Sequence, residues 1–167
     1  MTTLFDLRKQ LRFYKLYHHE RTNVFIHMIF VPVILFTSSC ILQRIRVYGA
    51  ISLAHILGLC FGLYYIALCV PTGILASAII ALMNAAITLG WVRLHFATEL
   101  SVFVISWIFQ FVGHGVFEKR KPALLDNLVQ SLVLAPYFVL FEVLFKLGYM
   151  PQLRDQLEHD IAPGVPQ

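Results

Sequence analysis

Charge is scarce in this sequence. Only 13% of its 167 residues are Asp, Glu, Lys or Arg, while 59% are hydrophobic, and the mean hydropathy is +0.75. A soluble domain carries about 25% charged residues, so the scarcity excludes an ordinary water-facing fold and makes lipid the expected solvent. The net charge of +4 is modest, and the basic residues fall in short clusters between apolar runs. That pattern suits lipid headgroups, and no nucleic-acid partner is expected. Cysteine is scarce too. Cys40, Cys60 and Cys69 are odd in number and lack CxxC spacing, which excludes a disulfide framework and a cysteine zinc site and leaves small buried apolar residues. The first twenty residues hold no apolar core before a small-residue site. No cleavable signal peptide is therefore expected, and the first apolar run must itself direct insertion.

What is abundant is apolar length. A bilayer core of about 30 Å needs about 20 apolar residues in a helix, and five runs offer that: 24–42, 48–70, 73–91, 96–116 and 128–149. Short linkers predict antiparallel neighbours. The expected fold is an all-α, polytopic membrane bundle in a single domain, 1–167. Residues 1–22 form a cytoplasmic amphipathic segment, 23–149 the membrane helices and 150–167 a tail whose end, "APGVPQ", reads as disordered. Within 4–19, Leu4, Leu7, Leu11, Tyr14 and Leu16 lie among Arg8, Lys9, Arg12 and Lys15, a basic amphipathic helix suited to an anionic membrane surface or, alternatively, to packing on the domain with its basic face in solvent. Ala135-Pro136 leaves two alternatives for the last run: a full crossing, or a break and a re-entrant hairpin that returns "LEHD" (157–160) to the side of the N-terminus. With five crossings, one side holds eight basic residues (Arg8, Lys9, Arg12, Lys15, Arg21, Lys119, Arg120, Lys121). The other holds five (Arg44, Arg46, Arg93, Lys146, Arg154). The N-terminus is thus expected in the cytoplasm.

That topology sorts the histidines. His18, His19, His27 and His114 fall at one membrane face, and His55 and His95 towards the other. His18 and His27 are nine residues apart, which on one straight helix turns about 180°. They converge only if the chain breaks between them, and Thr22 and Asn23 are suitable N-caps for a new helix. Gln110, His114 and Glu118 recur every four residues and share one face; Gly113 and Gly115 beside His114 permit close approach of another chain. Ionisable groups inside a membrane are functional candidates by default. Neutral imidazoles gathered at one face suit a divalent transition metal such as iron, zinc, copper or nickel, with Glu118, Asn23 or Gln110 fixing tautomers around it. Structural roles compete: interhelical hydrogen bonds for His55 and Asn84, solvent for His95, a Glu142–Lys146 pair at i, i+4, and a positive anchor for "EKRK". The HExxH motif and the HxxxH and HxxHH boxes of membrane di-iron desaturases are missing, which argues against those classes.

Three stretches carry a resemblance: "FYKLYHHERTNVFIHMIFVP" (13–32), "WIFQFVGHGVFEKRKPALLDNLVQSLVLAPYF" (107–138) and "LEHD" (157–160). The sequence resembles the 2-hydroxy fatty acid dioxygenases of phytosphingosine breakdown, fungal proteins of the endoplasmic reticulum membrane with bacterial relatives. The wider pattern of that family is met here by His18, Asn23, His27, Pro32 and Gly113-His114, while His159 matches only the fungal form. The resemblance implies an Fe(II)-dependent α-oxidation in which a 2-hydroxy fatty acid and O2 give a fatty acid one carbon shorter, as from 2-hydroxypalmitate to pentadecanoate. It implies His18, His27 and His114 as iron ligands, with Glu118 as a fourth ligand or an outer partner. Arg21, Lys119 or Arg120 would attract the substrate carboxylate. The main rival is a membrane scaffold or lipid-binding protein. A transporter and a membrane zinc hydrolase rank below it.

Overall fold

The computed structural model describes residues 3–119 and 128–161. Arg120, Lys121 and the tail 162–167 lie outside the described residues. A 3-10 turn (Thr3–Phe5) leads into α1 (Leu7–Tyr17) and α2 (Arg21–Gln43). A small hairpin of β1 (Arg46–Tyr48) and β2 (Ile51–Ser52) follows, then α3 (Leu53–Leu68), α4 (Val70–Thr88) and α5 (Phe96–Val112). A π-turn (Gly113–Glu118) extends α5, and α6 (Leu128–Lys146) and α7 (Pro151–Ile161) complete the described elements. The chain is a helical membrane bundle. Four helices among the described residues are long and apolar enough to cross a bilayer: α2, α4, α5 with its π-turn, and α6. Contacts divide the chain into two compact units, 1–29 with 109–167, and 30–108.

The second unit is built on the α3–α4 hairpin. Here the expected 48–70 segment is corrected. Its first residues are spent in the β-hairpin, whose turn needs Gly49 at φ +51°, and the helix that remains has 16 residues. At 1.5 Å per residue it falls short of a bilayer core of about 30 Å. Helix α4 starts three residues earlier than the expected 73–91, because Pro71 lacks the N–H that a first turn leaves unpaired anyway. Gly58, Gly62 and Gly73 form the seam. A Cβ on Gly62 would stand 2.8 Å from Ser77 Oγ, and one on Gly73 would overlap the backbone of Ile66. Small residues let helix backbones approach in this way. Gly73→Ala is expected to force the hairpin apart at a cost of about 1–3 kcal/mol, read as a lower unfolding midpoint in detergent; an unchanged midpoint would show that the seam yields. Asn84 is the interhelical tie expected of it: Gln43 Nε2 donates to its side-chain Oδ1 at 3.3 Å. His55 likewise bonds Thr88 Oγ1 at 3.2 Å, and His95 is exposed. Arg44 grips the buried Glu99 at 2.8 and 2.9 Å.

The first unit packs α1 against α6 and α7. Asp6 caps α1 by accepting the Lys9 N–H. The apolar face of α1 is not left for lipid: Leu11 and Tyr14 are buried, and the Tyr14 ring stacks on Phe138 of α6 at 4.1 Å. Lys15, not Lys146, pairs with Glu142, at 2.7 Å. The i, i+4 expectation fails because Lys146 Nζ turns instead to Met28 Sδ. Of the two alternatives at Pro136, the break is not found. Helix α6 runs through Pro136 unbroken, so the missing N–H leaves one carbonyl without its i+4 donor and does not end the helix. The reversal comes later, where Gly148 and Met150 take positive φ. Helix α7 then lies against α1, fastened by Arg8 to Asp160 at 2.9–3.1 Å.

Candidate metal centre

The break expected between His18 and His27 is present, but its position and cap differ. Helix α1 ends at Tyr17 with His18 as its C-cap, and α2 begins at Arg21. Thr22 and Asn23 are inside α2. The cap is Glu20, whose Oε2 accepts the Asn23 N–H at 2.8 Å. This corner brings His18 and His27 together edge-on, rings at 76° and Nε2 atoms 3.1 Å apart. His114 comes from the π-turn, its ring centroid 4.6 Å from His18 and 4.9 Å from His27. All three histidines are buried, and one ligand nitrogen from each lies within 4.8 Å of the others.

Tautomers decide what this arrangement can do. His18 Nδ1 is 3.0 Å from the Tyr14 carbonyl, and His27 Nδ1 is 2.9 Å from the Asn23 carbonyl. A carbonyl only accepts, so each Nδ1 carries the proton and each Nε2 presents a lone pair. Two lone pairs 3.1 Å apart repel unless a cation stands between or beside them. A proton suits poorly. Burial first, then the neighbouring His27 and His114 imidazoles, pushes His18 well below its ordinary value, so it is neutral at pH 7. A divalent ion fits. Two nitrogens at about 2.1 Å from one ion and at right angles to each other stand about 3 Å apart. His114 Nδ1 is also buried with no hydrogen-bond partner among the described residues, as expected of a group that waits for a ligand. Backbone carbonyls on the far ring nitrogens are the usual outer partners of metal-binding histidines.

The carboxylate of Glu118 holds this corner. Oε1 takes the His19 N–H at 3.3 Å and His19 Nδ1 at 2.7 Å. Oε2 takes the Glu20 N–H at 3.2 Å and Asn23 Nδ2 at 2.9 Å. With its side chain wholly buried and both oxygens engaged, Glu118 ties the α1–α2 corner to the turn that carries His114. Gly113 is required for the close approach, since a Cβ there would collide with Asn23 Oδ1. Gly115 faces open space. The turn is wide because Lys119, at φ 53°, returns its N–H to the His114 carbonyl five residues back; such π-turns recur at functional sites.

Of the other site candidates, Gln110 is buried one turn before His114, and its Nε2 has no partner among the described residues. Arg21 and Lys119 are exposed. Arg120 lies outside the described residues. His159 is exposed on α7 and takes no part in the three-histidine group. Sequence reasoning missed His19 and Glu20 as members of the corner, and it missed Tyr14, whose ring stacks on His18 at 3.8 Å. The four-residue spacing of Tyr14 and His18 was the available signal.

Comparison with known proteins adds the chemistry. The family described as 2-hydroxy-palmitic acid dioxygenase Mpo1-like matches residues 4–147, a span that includes all three histidines. The chain is 60% identical over 158 residues to the 2-hydroxy-palmitic acid dioxygenase MPO1 of Saccharomyces cerevisiae, covering 95% of this chain and 91% of that relative. No solved structure matches the chain.

Proposed function

The chain belongs to the Mpo1-like family of 2-hydroxy-palmitic acid dioxygenases, and from that premise we propose that it is an Fe(II)-dependent enzyme that shortens 2-hydroxy fatty acids by one carbon with O2. The reaction converts 2-hydroxypalmitate to pentadecanoate and serves sphingolipid breakdown in the endoplasmic reticulum membrane, with the N-terminus in the cytoplasm. The observation that carries the metal is the pair of Nε2 lone pairs set 3.1 Å apart beside a third buried imidazole.

His18, His27 and His114 would hold the ion. When bound, iron(II) supplies open coordination positions at which a hydroxy-carboxylate head and O2 can meet. The chain's own work is orientation and exclusion of water. The Tyr14 and Asn23 carbonyls keep both Nδ1 protons in place. Glu118, through His19, Glu20 and Asn23, fixes the corner from which His18 and His27 project. Exposed Arg21 and Lys119 would draw an acid towards the site by long-range attraction, more weakly as salt rises. The acyl chain stays among the apolar side chains that α5 exposes, such as Phe109 and Val112.

Metal analysis of the purified protein, paired with O2-dependent turnover of 2-hydroxypalmitate, tests this. Near-stoichiometric iron, loss of turnover on chelation and recovery on adding Fe(II) are expected. Full turnover by metal-free protein would sink the proposal.

A further inference from the structure

Gln110 is buried on α5, one turn before His114 of the π-turn, and its Nε2 has no hydrogen-bond partner among the described residues. A buried amide donor left unpaired is costly, and native proteins keep few of them. Among the described residues, Lys15 is paired with Glu142, and Arg21 and Lys119 are exposed. A carboxylate that reaches the three histidines can be met there by a neutral donor. An amide nitrogen only donates and a carboxylate only accepts, so the two match, and the charge strengthens the bond.

We propose that Gln110 reads the acid head of the substrate, donating from Nε2 to a carboxylate oxygen of the 2-hydroxy fatty acid. The inference rests on the function proposed above and assigns the contact that selects a free acid over its neutral derivatives. Gln110 stays off the metal and sets substrate affinity.

Full-length protein in nanodiscs, loaded with Fe(II) and kept anaerobic, allows equilibrium binding to be measured without turnover. Gln110→Met keeps side-chain length and removes the donor. It should weaken 2-hydroxypalmitate binding about tenfold, raise KM more than it lowers kcat, and leave the iron content unchanged. Gln110→Glu, equal in size, should weaken binding further by repulsion. The methyl ester of 2-hydroxypalmitate, which keeps a carbonyl acceptor but lacks the charge, should lose less affinity on Gln110→Met than the acid does. Wild-type affinity for the acid in both variants, or a loss of iron in place of a loss of affinity, overturns the assignment of Gln110. A wild type that neither binds nor consumes 2-hydroxypalmitate instead brings down the function on which the assignment rests.

Discussion

His27→Leu is expected to abolish metal retention and turnover while leaving the metal-free protein folded. The two effects separate a metal centre from a structural hydrogen-bond cluster. In the metal-free wild type the His18 and His27 Nε2 atoms face each other at 3.1 Å with both Nδ1 protons committed to carbonyls. That contact repels, and a leucine of similar size relieves it. The side chain lost is worth little to the empty fold and everything to the bound ion. Removing an outer partner of a metal site weakens binding about 10–100-fold, so removing one of three ligands should exceed that range. Wild type should gain about 2.7 kcal/mol of stability at a metal concentration one hundred times Kd, seen as a rise in unfolding temperature, and His27→Leu should gain nothing. A purified His27→Leu protein with normal metal and turnover would contradict the ligand assignment. So would a wild type whose unfolding temperature ignores the metal while the variant unfolds when empty.

The parts of this site that local spacing encodes were legible. Four-residue recurrence brought Gln110, His114 and Glu118 to one buried face, and the nine-residue interval demanded a corner between His18 and His27. The residues that hold the corner were not legible. Glutamate is an uncommon N-cap, so Thr22 and Asn23 were the better local choice until Glu20 closed on Asn23. The donors to Glu118 come from His19 and Glu20, 99 and 98 residues away, and no periodicity reaches that far. The same limit explains Glu142. Its i+4 lysine was the local partner, and a lysine on α1 replaced it. In the second unit, the apolar run 48–70 takes in Gly49, so residues 48–52 of the hairpin fall inside an expected helix.

Glu118 is where that long-range information can be tested. Its two oxygens receive two backbone N–H groups, the Asn23 amide and the His19 ring. Glu118→Ala leaves those donors facing a void. At about 1–3 kcal/mol for each buried donor left unpaired, the cost is a large share of the stability of a small domain. Glu118→Gln is the sharper probe, because it preserves volume and changes only chemistry. One oxygen becomes an NH2 that must face N–H donors whichever way the amide turns, so at least one side of the clamp opens. The α1–α2 corner then loosens from the turn bearing His114, and metal affinity should fall about 10–100-fold with the three histidines untouched. Gly113→Ala should reproduce the defect from the other direction, since its Cβ displaces the Asn23 Oδ1 that lies against it. Competition with a chromophoric chelator reads both variants on purified protein. Wild-type metal affinity in Glu118→Gln and Gly113→Ala together would mean that the three histidines hold their geometry without the clamp.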